Sequence, residues 1–207
     1  MPTPSDSFAA AYLREVGEIV QGIDPVAVDA LAEALAGVRD GQGRLFVLGV
    51  GGGAAHASHA VNDFRKLCEF EAYAPTDNVA ELTARTNDEG WETSLDAWLR
   101  TSRLSSRDAI LVFSVGGGNR THNVSVNLVR AIELAQDVGA SVFGVVGRAD
   151  GATAEAADVC IVVETPAERR TPHVEESQAI VWHLLVSHPA LAKAPGKWES
   201  VESVDGT

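Results

Sequence analysis

The chain has 207 residues, of which 45% are hydrophobic and 22% charged, a composition typical of a globular protein with a buried core. Asp and Glu total 29 against 16 Lys and Arg, so the formal net charge is −13, which argues against nucleic acid as the main partner. There is no apolar run long enough for a membrane span, no signal-peptide pattern at the start, and only two cysteines, Cys68 and Cys160, so we expect a cytoplasmic protein without a membrane partner.

Two amphipathic helices are predicted before the first strand. Apolar residues recur at helical spacing over 5–22, and Asp24-Pro25 then combines an N-cap with a proline in the first turn of a second helix. We expect both helices to pack outside the sheet or against another subunit. The sequence predicts one domain over 1–207, made of N-terminal helices (5–40), an α/β core (44–190) and a frayed charged tail (191–207).

The remaining chain alternates between short apolar runs and helical patterns. Buried strands are predicted at 45–48, 109–113, 141–146 and 159–163, with 71–74 as a short edge strand. Helices are predicted from the first glycine turn to about Leu67, from about Thr121 to Val138, and from about Val174 to Ser187. Unbroken apolar strands are buried on both faces, so this pattern predicts an α/β fold with a doubly wound parallel sheet between two helix layers.

Two glycine-rich turns follow predicted strands. Gly51-Gly52-Gly53 comes after the first strand, and Gly116-Gly117-Gly118 after the 109–113 strand. The first turn has Ala54 where a dinucleotide fingerprint needs its third glycine, and no P-loop motif is present. Either these glycines only permit tight turns, or their amides form an anion site at the carboxyl edge of the sheet; their occurrence at two strand ends favours the anion site.

The order of these motifs resembles the sugar-isomerase (SIS) domain, and within it the phosphoheptose isomerases. The segments that carry the resemblance are 49–53, the helix with His59 and Asp63, 82–91, 113–119 and 147–151. The likeness spans about 5–190 and implies a flavodoxin-like, three-layer doubly wound fold. It also implies homotetramers with active sites between subunits, zinc binding in many members, and a role in heptose biosynthesis.

The resemblance also implies a substrate and phosphate site. Its candidate residues are Gly51, Gly52, Gly53, Asn87, Asp88, Ser114, Gly116, Gly117, Asn119, Arg120 and Thr121. The family usually has asparagine and serine in the first turn where this chain has Val50 and Gly53, and its second turn is shorter and richer in hydroxyl groups. Phosphate binding here would therefore depend more on backbone amides. A turn before Gly90 would equally account for Asn87 and Asp88.

The metal and proton-transfer residues implied by the family correspond to His59, Asp63, Glu175 and His183. Asp63 replaces a glutamate and Glu175 a glutamine. Independently, His59 and Asp63 are four residues apart and share a helix face, where they could hold zinc or another divalent metal, pass a proton, or form a surface pair. His56 is an additional candidate ligand or substrate contact, and the tryptophans are interpreted as core or interface residues.

The function implied is aldose–ketose isomerisation of a sugar phosphate through an enediolate, with sedoheptulose 7-phosphate as substrate. Asp63 would be the catalytic base and His183 the acid or shuttle. A carboxylate bound to a metal is a weaker base, so the metal is either structural or inhibitory, or its ligands exchange during turnover. The alternatives are a non-catalytic SIS module that senses a sugar phosphate or mediates assembly, and an isomerase of another ketose phosphate.

Overall fold

The computed structural model describes residues 7–194. Its strands are β1 (Leu45–Gly49), β2 (Ala72–Tyr73), β3 (Ala109–Ser114), β4 (Ser141–Val146) and β5 (Val159–Val162). All neighbouring strands pair in parallel, in the order β2-β1-β3-β4-β5. The frayed tail predicted for 191–207 lies almost wholly outside the described residues.

Helices cover both faces of the sheet. They are α1 (Phe8–Gln21), α2 (Pro25–Asp40), α3 (Gly52–Cys68), α4 (Val79–Glu89), α5 (Ser94–Thr101), α6 (Val126–Val138), α7 (Ala152–Ala156) and α8 (Arg170–Ser187). One core cluster joins α2, α3 and α8 to the sheet through side chains such as Leu31, Phe64 and Leu185. A second cluster joins α5 and α6 to the opposite face, around Phe46 and Leu128. The predicted three-layer α/β fold is confirmed.

Two helices lie outside these layers. Neither α1 nor α4 has a buried residue, whereas α2 buries five apolar side chains and packs beside β5. Within the described part of the chain, no helix is both long and apolar enough to cross a membrane.

The predicted start of the helix that corresponds to α6 is wrong. The helix expected from about Thr121 begins at Val126, because 119–124 instead form a short antiparallel bridge. The Asn119 N–H donates to the Val124 carbonyl at 2.8 Å, and the return bond is 2.9 Å. The preceding Gly117 and Gly118 have φ of +74° and +80°, a left-handed conformation that turns the chain into this bridge.

The winding of the sheet changes direction between β1 and β3. From β1 the chain continues through α3 to the edge strand β2, and the later strands are added on the other side of β1. In doubly wound sheets, ligands bind in the crevice outside the carboxyl ends of the strands at this reversal. The two glycine turns follow β1 and β3, so the fold places both of them at the expected binding crevice.

Candidate active site

At the first glycine turn, the backbone at the start of α3 lies very close to the backbone at the end of β3. Gly51 has φ of +60° and precedes α3, whose N-terminal amides face the carboxyl edge of the sheet. A Cβ on Gly53 would lie 2.4 Å from the Phe113 carbonyl oxygen, so α3 packs directly against the end of β3. Glycine at this position, where the family usually has serine, therefore has a packing reason in this chain.

Three of the four predicted metal ligands come together about two helical turns along α3 from this glycine turn. His59 and Asp63 lie on one face of α3, and His183 approaches from α8. The Asp63 Oδ2 atom is 3.5 Å from His59 Nε2 and 3.7 Å from His183 Nε2. One ligand atom from each residue lies within 4.8 Å of the other two, a spacing that one cation can bridge.

The protonation of His183 suits metal binding. Its Nδ1 atom lies 2.8 Å from the Ala179 carbonyl oxygen, which can only accept a hydrogen bond. Nδ1 therefore carries the proton, and in the neutral ring Nε2 keeps its lone pair toward Asp63. Two imidazoles and one carboxylate with an open side are a donor set found in catalytic zinc sites, so these residues fit a bound zinc ion.

Glu175 does not join the other three ligands within the single chain. A Cβ built on Gly52 would lie 2.5 Å from the carboxylate atoms of Glu175, which places this carboxylate against the first glycine turn. Glu175 and His183 are on the same helix about two turns apart, so their side chains reach different parts of the crevice. In this chain Glu175 faces the predicted phosphate turn rather than the three-residue cluster.

Asp63 is held by two donors that sequence reasoning missed. The Trp182 indole Nε1–H donates to Asp63 Oδ2 at 3.2 Å, and the Asn62 side-chain amide donates to Oδ1 at 3.0 Å. The Trp182 ring also contacts both His59 and His183, with centroid distances of 5.3 and 4.8 Å. The only signal in the sequence was the position of Trp182 next to His183, and it was interpreted as a core or interface residue.

His56 forms a hydrogen bond with the buried side-chain amide of Gln178. Its Nδ1 lies 3.0 Å from the Gln178 side-chain oxygen, and the Gln178 amide nitrogen donates to the Val145 carbonyl at 3.2 Å. Both Gln178 and His173 are buried. This chain of hydrogen bonds links α3, α8 and β4 behind the cluster.

Some polar side chains of the second glycine turn form hydrogen bonds within the turn and the loop that follows it. Ser114 Oγ accepts the Gly117 N–H at 3.0 Å, which leaves the hydroxyl hydrogen available to a ligand. Asn119 Oδ1 accepts the His122 N–H at 2.9 Å, which stabilises the bridge of the loop. The Gly116 position is open, with no atom within 4 Å of an added Cβ.

Arg120 and Thr121 line a cavity of about 470 Å³ between this loop and helices α6 and α7. Arg120 binds both carboxylate oxygens of Glu133 at 2.6 Å, so its charge is already neutralised by a neighbour. Thr121 is exposed at the tip of the loop. Within one chain, Arg120 is therefore paired with α6, and it would have to leave Glu133 to contact a phosphate.

Asn87 and Asp88 lie in the last turn of the exposed helix α4, not in a turn of the chain as considered from the sequence. The Asn87 amide donates to Asp88 Oδ1 at 2.7 Å. The helix packs against α5, and Asn87 borders an open surface cavity with Leu82 and Trp91. Their predicted contact with substrate stays a prediction.

Known proteins are similar to this chain both in sequence and in fold. No protein-family model matches it. The lincomycin biosynthesis protein LmbN of Streptomyces lincolnensis is 32% identical over 194 residues, which are 88% of this chain and 69% of that protein. The phosphoheptose isomerase of Rhodospirillum rubrum is 30% identical over 166 residues, which are 78% of this chain and 82% of the relative.

A solved structure supports the same fold. The phosphoheptose isomerase GmhA from Neisseria gonorrhoeae superposes with a TM-score of 0.76 at 24% identity, over 86% of this chain and 95% of that one. Together with the sequence identity to the Rhodospirillum rubrum protein, the parallel sheet and its two glycine turns place this chain in the phosphoheptose isomerase family of SIS-domain proteins.

Proposed function

We propose that this chain catalyses the isomerisation of sedoheptulose 7-phosphate to a D-glycero-heptose 7-phosphate by proton transfer through an enediolate. The family is one of sugar-phosphate isomerases. The observation that carries the proposal is the convergence of His59, Asp63 and His183 from α3 and α8, with α3 starting at the glycine turn of the sheet's switch point. Such a reaction needs a base over one carbon, an acid near the oxygen, and a group that stabilises the developing negative charge.

Each residue of the cluster has a separate role in the proposal. Asp63, largely buried and held by two N–H donors, takes the proton from the sugar carbon. His183, with about half of its side chain exposed, exchanges a proton with the neighbouring oxygen. A zinc ion or another divalent cation held by His59, Asp63 and His183 would supply charge stabilisation to the oxygens of the enediolate. Glu175 would complete that ligand set if its side chain turned from Gly52.

The phosphoryl group would bind at the glycine turns. The amides of Gly51, Gly52 and Gly53 form the N-terminus of α3, a position where backbone N–H groups and the helix dipole favour anions. Ser114, Gly116, Gly117, Asn119, Arg120 and Thr121 of the second turn, with Asn87 and Asp88, are the further proposed contacts. The Glu175 carboxylate at the first turn disfavours a dianion there, so we place the phosphoryl group toward the second turn.

We also propose that the chain works as one SIS domain in a cytoplasmic homotetramer with sites between subunits. Phe8 and Leu13 on α1 are 75% and 69% exposed, and Ile180 and Leu184 on α8 are exposed beside His183. Burying such apolar side chains against a second copy is favourable, and it would also exclude water from the cluster. Cys68 and Cys160 are both free thiols, which agrees with a reducing compartment.

The test is Asp63→Asn, which keeps the size of the side chain and removes the base. Wild-type protein incubated with sedoheptulose 7-phosphate in D₂O should form the aldose and incorporate deuterium, observed by NMR, whereas Asp63→Asn should do neither. Asp137→Asn, an exposed carboxylate on α6, is the matched control. Turnover by Asp63→Asn at the wild-type rate would refute the assignment.

A panel of other ketose phosphates separates the alternatives. Faster turnover of a hexulose phosphate would assign a different substrate. No turnover of any sugar, combined with thermal stabilisation by one of them, would instead indicate a sensing module.

A further inference from the structure

Trp182 lies directly beneath the proposed catalytic cluster. Its side chain is 2% exposed, and its only polar atom donates to Asp63 Oδ2 at 3.2 Å. That oxygen is the one that faces both imidazoles, at 3.5 Å from His59 Nε2 and 3.7 Å from His183 Nε2. The indole N–H therefore bonds to the carboxylate oxygen that a metal or a substrate proton would use.

We propose that Trp182 is a positioning residue for Asp63, and that its indole N–H sets the affinity of the cluster for a divalent cation and the rate of proton transfer. The proposal rests on the proposed function of the cluster. Ligands of a metal site are commonly oriented by such hydrogen bonds from surrounding residues, and losing one typically costs roughly 10- to 100-fold in metal affinity or activity.

The geometry explains why Asp63 needs such a partner. An aspartate carboxylate can rotate about its Cβ–Cγ bond, and rotation would exchange which oxygen faces the imidazoles. Asn62 holds Oδ1 and Trp182 holds Oδ2, so the two donors fix the carboxylate plane from opposite sides. Asn62 is exposed and can exchange its bond for water, whereas Trp182 is buried and rigid.

The indole also orients the two histidines. Its centroid lies 4.8 Å from the His183 ring, 5.3 Å from the His59 ring and 6.0 Å from the Phe113 ring. Trp182 is thus anchored on the end of β3 while it contacts all three members of the cluster. A purely structural tryptophan would contribute packing area, but its loss would leave zinc affinity unchanged in a folded variant.

The experiment compares Trp182→Phe with Trp98→Phe. Trp98 packs edge-to-face on Phe46 on the opposite side of the sheet and is the matched control. After treatment with a chelator, Zn²⁺ binding is measured by calorimetry, without substrate. We expect Trp182→Phe to bind Zn²⁺ roughly 10- to 100-fold more weakly, whereas Trp98→Phe keeps the wild-type affinity.

Kinetics supply the second readout. For sedoheptulose 7-phosphate, Trp182→Phe should lower kcat by a similar factor with little change in KM, because the indole N–H bonds to the proposed base and to no proposed phosphoryl contact. If Trp182→Phe unfolds, replacing Trp182 with benzothienylalanine removes the N–H and keeps the ring shape. Unchanged Zn²⁺ affinity and kcat in a folded variant would overturn the proposal. Weaker Zn²⁺ binding in a protein that isomerises no sugar would uphold it and refute the proposed function instead.

Discussion

Replacing Gly52 with alanine tests the position of Glu175 with a single methyl group. The added Cβ would lie 2.5 Å from the Glu175 carboxylate, whereas ordinary contact begins at 3.4 Å, so the carboxylate must retreat by about 0.9 Å. Because it is the end of a flexible side chain, it can move without moving the backbone. Gly52 has no positive φ, so alanine fits its backbone conformation.

We expect Gly52→Ala to lower activity while leaving thermal stability nearly unchanged. Alanine is favoured over glycine in helices by up to about 1 kcal/mol, and about 1 kcal/mol shifts Tm by roughly 2–4 °C in a chain of this size. We therefore expect Tm to stay within a few degrees of wild type. The added methyl group and the displaced carboxylate both enter the crevice at the first glycine turn, where the substrate is proposed to bind. A misplacement of about 1 Å in such a site can cost roughly 100-fold, so kcat/KM should fall by about that factor.

The assay is kcat/KM with sedoheptulose 7-phosphate alongside thermal unfolding. Gly37→Ala on α2, where an added Cβ has no atom within 4 Å, controls for the general effect of the substitution. Gly53→Ala, whose Cβ would be 2.4 Å from the Phe113 carbonyl oxygen, should instead lower Tm because backbone must move. If Gly52→Ala retains wild-type kcat/KM, Glu175 has no role at the turn.

Three further results are expected. Burial alone would raise the pKa of Asp108, but the hydrogen bonds from Arg44 and Ser105 together outweigh it, and the pKa lies below its ordinary value. Asp108 therefore contributes stability above the pKa of the unfolded state that is lost as pH falls through the folded pKa. Urea titrations should show Asp108→Asn to be about 2 kcal/mol less stable than wild type at pH 7, with the difference shrinking below about pH 4. Burial raises the pKa of Cys68 and Cys160 to about 11, so at pH 7 a thiol reagent should label the buried Cys68 only after denaturation and the partly buried Cys160 more slowly in the native than in the unfolded protein; rapid labelling of native Cys68 would contradict this. Phe64→Ala removes a fully buried ring and should cost about 3–5 kcal/mol in chemical unfolding; a loss below about 1 kcal/mol would mean that the core is not packed as described.

The layered fold could be predicted because its signals are local. The runs at 45–48 and 109–113 are apolar on both faces, and they end in glycines, so buried parallel strands followed by tight turns were the consistent interpretation. The pairing of His59 with Asp63 was equally local, since helical periodicity alone puts residues four apart on one face.

Contacts between distant segments were decided by tertiary structure. Asn119 and Val124 form a bridge where helical periodicity favoured an earlier start of α6, because hydrogen bonds within the loop outweighed local preference. The carboxylate of Glu175 lies at Gly52 because α8 packs against α3, so that a side chain of α8 reaches the first glycine turn.

The amino-acid sequence thus determined which residue types end each strand and which side chains share a helix face, because both depend on backbone periodicity. Only the folded chain decided that His183 reaches Asp63 while Glu175 does not, and that the indole of Trp182 bonds to the carboxylate between them. The distances between side chains on α3 and α8 follow from how these two helices pack over the sheet, which no local pattern in the sequence encodes.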